Sequence, residues 1–128
     1  MSLQKALDTA LKIVPDCKVV SYIDTASGLV LSKAVSAPVA QEILDRCASV
    51  AAVICGEGAL PDYIQKTRQE TPENAGVFVL KGPRYTYLFS KSDNYPEHVI
   101  CYRCGADVFV EELVKAASEA GKEIMDAY

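Results

Sequence analysis

Most of the features that would mark this chain as an enzyme are missing. It has one histidine, His98, with neither a Ser-Asp partner pattern nor metal-ligand spacing around it. His98 therefore reads as a surface or sheet-face residue. The glycine-rich phosphate loop ending in Gly-Lys-Ser/Thr is absent, and so is the Gly-x-Gly-x-x-Gly turn of dinucleotide sites. A single CxxC, Cys101-Tyr102-Arg103-Cys104, has no second copy to complete a zinc site. It falls at a strand end rather than at the helix N-terminus that activates redox thiols, and side chains three apart on a strand point to opposite faces. No apolar run approaches the roughly 20 residues of a membrane-spanning helix. The opening MSLQKALDTALKIV carries Asp8 and lacks an unbroken apolar centre, so it is not read as a secretory leader.

Charge excludes further classes. The formal net charge is −4 with both signs interspersed, and no basic stripe offers itself to nucleic acid or an anionic membrane. Five cysteines, an odd number without a leader, suit reduced thiols and a cytoplasmic setting. A length of 128 residues with half of them hydrophobic fits one globular domain, 1–128.

What is present is a long apolar helix. Ser36 to Cys55 begins amphipathic, with Val39, Ala40, Ile43, Leu44 and Cys47 on one stripe and Gln41, Glu42, Asp45 and Arg46 opposite. From Cys47 to Gly56 it carries no charge. A helix that is apolar nearly all round is buried on more than one side, and in a chain this small the second side is expected to be another subunit. Ser36 and Pro38 are read as opening this helix, and Gly56 and Gly58 as closing it.

Around it the chain reads in order. Ser2 caps a first helix with Leu3, Leu7, Leu11 and Val14 at helical spacing, ended by Pro15-Asp16. Strands are predicted over Cys17 to Asp24 and Leu29 to Ala34, joined by a turn at Gly28. Glu57 to Gly76 is a polar excursion, equally readable as a flexible insert or as a partner-contacting segment pinned by Leu60, Tyr63 and Ile64. Strands follow over Val77 to Lys81, Arg84 to Ser90 and Glu97 to Cys104, and Asp107 is expected to cap a closing helix. Tyr85, Tyr87 and Phe89 share one strand face and read as a buried sheet surface rather than a base-stacking platform. Glu111 and Glu112 fall in a first helical turn, where the helix dipole favours acids. The order α-β-β-α-β-β-β-α with sequential hairpins predicts an α+β fold with one five-stranded antiparallel sheet.

Three passages resemble the roadblock/LC7 family. The first helix runs through Val14-Pro15-Asp16 into Cys17-Lys18-Val19-Val20, similar to the family's turn before its first strand. Asp24-Thr25-Ala26-Ser27-Gly28-Leu29-Val30-Leu31 resembles its DxxGLVL hairpin with one extra turn residue, and Gly105-Ala106-Asp107 resembles the segment that ends its sheet. Asp16 stands where a glycine is common, and the Glu57 to Gly76 excursion is longer than usual.

The resemblance implies the long helix on one sheet face and the terminal helices on the other. It also implies homodimers through the long helix and an adjacent edge strand, and a non-catalytic role as scaffold or regulator of a small Ras-like GTPase, without a cofactor. The expected dimer stripe is Val39, Ile43, Cys47, Val50 and Ile54, with Ala40, Leu44, Ala51 and Cys55 nearer the core. Periodicity leaves open which stripe faces outward. Tyr63 and Ile64 are the expected partner-contact loop. Two other classes compete: a small-molecule sensor of profilin-like or PAS-like architecture with a pocket closed by Tyr63, and a thiol enzyme using Cys55 or the CxxC.

Overall fold

The computed structural model describes residues 2–55 and 76–128. Helix α1 spans Leu3–Ile13, and Ser2 Oγ accepts a hydrogen bond from the Lys5 amide at 3.2 Å, the N-cap expected of a serine. Helix α1 stops where the chain turns through Pro15 and Asp16. Asp16 has φ 48°, and no other described non-glycine residue adopts the left-handed region. A Cβ there is strained, which explains the glycine preference noted above. The turn is held by the Gly105 amide donating to the Asp16 carbonyl at 3.1 Å. A Cβ built on Gly105 would collide with the Asp16 carboxylate, so this turn and the end of the last strand specify each other.

Strand β1, Cys17–Asp24, pairs with β2, Leu29–Val35, around a turn in which Gly28 has φ 74°. The Asp24 carboxylate accepts from the Ala26 amide at 3.0 Å and closes the turn locally. Helix α2 spans Gln41–Cys55, five residues later than the sequence suggested. Ser36 does not cap it. Its amide and its hydroxyl both donate to the Lys18 carbonyl, at 3.0 and 3.3 Å, which extends the β1–β2 pairing. Pro38, Val39 and Ala40 then lead in outside the helix. The expected closure at Gly56 and Gly58 lies outside the described residues.

Strands β3 (Val77–Lys81), β4 (Tyr85–Lys91) and β5 (His98–Gly105) complete one antiparallel sheet in the order β2-β1-β5-β4-β3. Helix α3 spans Val110–Ala127. Its N-cap is Phe109, with no side-chain capping bond, and not Asp107. A turn from Gly105 to Val108 places Asp107 too early to reach the helix amides. Glu111 and Glu112 do occupy its first turn.

The sheet has a core on each face. Helices α1 and α3 bury Leu7, Ala10, Leu113, Ala117 and Ile124 against Val20, Tyr22, Leu88, Ile100 and Tyr102. Tyr102, fully buried, donates its hydroxyl to the Ala117 carbonyl at 3.3 Å, and burial holds its proton far above the ordinary phenol range. On the opposite face α2 buries Cys47, Ala48, Ala51 and Ile54 against Ile23, Phe78, Phe89, Val99 and Cys101. The small side chains of Ala48 and Ala51 let the helix approach the sheet closely. The CxxC divides as strand alternation requires: Cys101 enters the α2 core and Cys104 the α1/α3 core. No helix among the described residues is long and apolar enough to cross a membrane.

The Asp16 turn makes a direct test. Asp16→Gly is expected to raise stability by up to about 1 kcal/mol by removing left-handed strain. Asp16→Val is expected to lower it by about 2 kcal/mol, because a β-branched residue tolerates that conformation least. Urea unfolding of the three proteins measures both; equal midpoints would show that the turn carries no strain.

Candidate functional site

Among the described residues one helix, α2, lies on this face of the sheet, and it does not reach across all five strands. Beside it a cleft of about 160 Å³ opens over β3 and β4, lined by Ile43, Arg46, Cys47, Val50, Leu80, Tyr87, Phe89 and Arg103. Its walls are mostly apolar. Tyr87 and Phe89, two apart on β4, stack with ring centroids 6.3 Å apart, as strand alternation predicts for residues on one face.

Arg103 gives the cleft its charge. Its place on β5 directs it to the α2 side along with Cys101, and it is only 9% exposed. The guanidinium lies 3.6 Å from the Tyr85 ring centroid, and its Nε donates to the Tyr87 hydroxyl at 3.2 Å. Two tyrosines from one strand thus hold a cation that has no carboxylate partner among the described residues. The aromatic face compensates part of its lost hydration. Arg46, exposed on α2, adds a second positive charge at the rim.

Cys47 sits between these groups. Its thiol is held below the ordinary range by a hydrogen bond with Cys101, then by Arg103 and Arg46, against the opposing effect of burial. Cys101, fully buried, is pushed up by the same hydrogen bond and by desolvation.

Three of the five stripe residues, Ile43, Cys47 and Val50, meet at the cleft. Cys47 and Ile54 are 3% and 2% exposed and face this chain's own sheet. Val39 is half-buried but precedes the helix. Of the residues expected nearer the core, Leu44 and Ala51 are buried and Ala40 is exposed, while the surroundings of the Cys55 side chain are not described. Tyr63 and Ile64 lie outside the described residues. The largest outward apolar side chain on α2 is Val53, 54% exposed, which the sequence reading did not single out. It also passed over Arg103 and Arg46. The available signal was parity: residues 101 and 103 share a strand face, as do Tyr85, Tyr87 and Phe89.

His98 is buried beside the other helix layer. Its Nδ1 is 2.9 Å from the Tyr22 hydroxyl, and its ring contacts Tyr95 and Tyr128. It is a sheet-face histidine surrounded by aromatic rings. Among the described residues no group of three His, Cys, Asp or Glu side chains is placed to hold a metal.

No protein-family model and no characterised protein sequence matches the chain. Solved structures do. MglB from Myxococcus xanthus superposes with TM-score 0.68 at 13% identity, over 97% of this chain and 92% of that one. MglC from Myxococcus xanthus gives 0.67 at 9% identity, over the whole of both chains. A roadblock/LC7 domain from Streptomyces avermitilis gives 0.66 at 12% identity, over 98% and 97%. This chain has the roadblock/LC7 fold. The likeness extends over nearly the whole length, so the helix–sheet–helix layering around the cleft belongs to the roadblock architecture. The side chains in the cleft are this chain's own at such low identity.

Among the described residues the Tyr87 hydroxyl is the polar group bonded to the Arg103 side chain. Tyr87→Phe is expected to cost about 1 to 2 kcal/mol in chemical denaturation, as for a hydrogen bond to a charged group. An unchanged midpoint would show that solvent replaces the hydroxyl freely.

Proposed function

We propose that the chain is a non-catalytic homodimeric scaffold or regulator of a small Ras-like GTPase, acting in the cytoplasm and dimerising through the outward face of α2 and the sheet beside it. The observation that supports this reading is the incompletely covered α2 face. Five strands at their usual spacing span about 20 Å, whereas a helix with its side chains is about 10 Å wide. Among the described residues two helices cover the opposite face and one covers this one. The residues left over are Val53 on the helix and half-buried Ile43, Val50, Leu80 and Tyr87 around the cleft. A second copy of α2 laid beside the first would cover them, in a self-complementary twofold arrangement.

The roadblock/LC7 fold supports the partner class through the family role described above. The cleft also favours a second reading, the small-molecule sensor, because it joins an apolar wall to two guanidinium groups. At about 160 Å³ it is smaller than the roughly 300 to 1,000 Å³ of ordinary ligand sites. We prefer the protein partner for that reason.

Sedimentation at micromolar concentration is expected to give a dimer. Val53→Glu, and separately Ile43→Glu, is expected to weaken it by roughly 100-fold, since burying a charge at an apolar contact costs about 3 kcal/mol or more. Leu31→Glu, on exposed β2, is the control that stays dimeric. Folded, dimeric Val53→Glu and Ile43→Glu proteins would remove α2 from the interface. For the partner, immobilised protein is exposed to host lysate with a GTP analogue or with GDP. Enrichment of a small GTPase in one nucleotide arm is expected. Recovery of this chain alone, or of partners indifferent to nucleotide, would reject the GTPase reading and leave the dimer.

A further inference from the structure

Four of the five cysteines form two thiol pairs, one on each face of the sheet. Cys17 and Cys104 are direct partners across the β1–β5 ladder. Cys47 on α2 meets Cys101 on β5 in the opposite core. In each pair the two thiols are close enough to perturb each other's ionisation. Both halves of the CxxC are therefore engaged, each with a cysteine distant in sequence, and neither with the other.

The two pairs have different surroundings. Cys17 donates to the Val19 carbonyl at 3.4 Å, and its hydrogen bond with Cys104 together with burial pushes its proton far above the ordinary thiol range. Cys47 instead lines the cleft beside Arg46 and Arg103. The other groups lining that cleft are apolar apart from the Tyr87 hydroxyl, so no carboxylate in its wall opposes a thiolate. A volume of about 160 Å³ admits a molecule as small as hydrogen peroxide.

We propose that Cys47 and Cys101 are a redox-modification site, in which a peroxide entering the cleft is reduced and the two sulfurs join in a disulfide between α2 and β5. The Cys47 thiolate attacks one peroxide oxygen, the O–O bond breaks, and the departing hydroxide takes a proton to become water. Cys47 is then a sulfenic acid. Cys101 gives up its proton and attacks the Cys47 sulfur; the S–S bond forms, the S–O bond breaks, and a second water leaves. Two thiols lose two electrons and two protons, and one peroxide becomes two waters. Positive charge at Arg46 and Arg103 favours the attacking thiolate, and contact with Cys101 supplies the resolving sulfur. The product pins α2 to the central strand beside the face proposed for dimerisation. The inference goes beyond the GTPase reading and does not rest on it.

The test is disulfide mapping of the full chain after hydrogen peroxide treatment, across a protein dilution series so that self-association does not shield the cleft. Trypsin cleaves after Arg103 and separates Cys101 from Cys104, and a Cys55→Ser background makes the Cys47 peptide unambiguous. A dithiothreitol-sensitive Cys47–Cys101 link is expected while Cys17 and Cys104 stay alkylatable. Its rate should rise with pH and level off below the range of an ordinary thiol, because the lowered Cys47 thiol is already ionised there. In Cys101→Ser, whose hydroxyl can still donate to Cys47 but cannot resolve it, Cys47 should stop at the sulfenic acid and take up dimedone. The proposal is overturned by a Cys47 that stays reduced at every dilution, by a Cys17–Cys104 link that forms first, or by a folded Cys101→Ser protein without dimedone at Cys47. None of these readouts involves a GTPase, and the dilution series removes shielding by self-association, so failure here and failure of the functional reading are separate results.

Discussion

Among the described residues a single helix, α2, lies against one face of the five-stranded sheet and two lie against the other, and the site follows from that imbalance. A sheet buries both faces only if each is covered across its width. Helices α1 and α3 achieve this on one side, while among the described residues α2 alone serves the other and packs its small Ala48 and Ala51 close to the strands. The shortfall opens the cleft over β3 and β4 and leaves Leu80 and Tyr87 half-buried at its margin.

Within that frame the central strand β5 does unusual work for a core element. It has layers on both faces, and it carries Arg103 on the α2 side, held among the described residues by two tyrosines. A buried cation is costly unless it is paired or well hydrogen bonded. Tyr85 and Tyr87 supply a ring face and a hydroxyl, and the cleft leaves part of the guanidinium near water. Cys101 first and then Arg103, both on β5, lower the neighbouring Cys47 thiol, so an element that looks purely structural in sequence sets the chemistry of its surroundings.

The elements that were legible are those in which a local pattern meets no competitor. Strands β1 and β3 have the bounds expected from β-branched runs and turn residues, and β2, β4 and β5 differ by about one residue at their ends. Two helix starts were misread for one reason. Ser36 and Asp107 are good caps in isolation, but Ser36 is committed to the Lys18 carbonyl of the neighbouring strand, and Asp107 is held in the turn that follows Gly105. A cap preference of about 1 kcal/mol does not override the pairing of a sheet. Val39 fell outside the helix as a consequence.

The sequence by itself determined the element order, the antiparallel sheet, the division of the CxxC between two faces and the surplus of apolar surface on α2, because periodicity and turn chemistry act over a few residues. Tertiary structure alone decided which side of α2 meets the sheet, that Cys47 touches Cys101 and Cys17 touches Cys104, and that Arg103 lies between two tyrosines above a cleft. Those outcomes depend on strand register and helix placement. Both are fixed by contacts between residues tens of positions apart, and no local pattern encodes them.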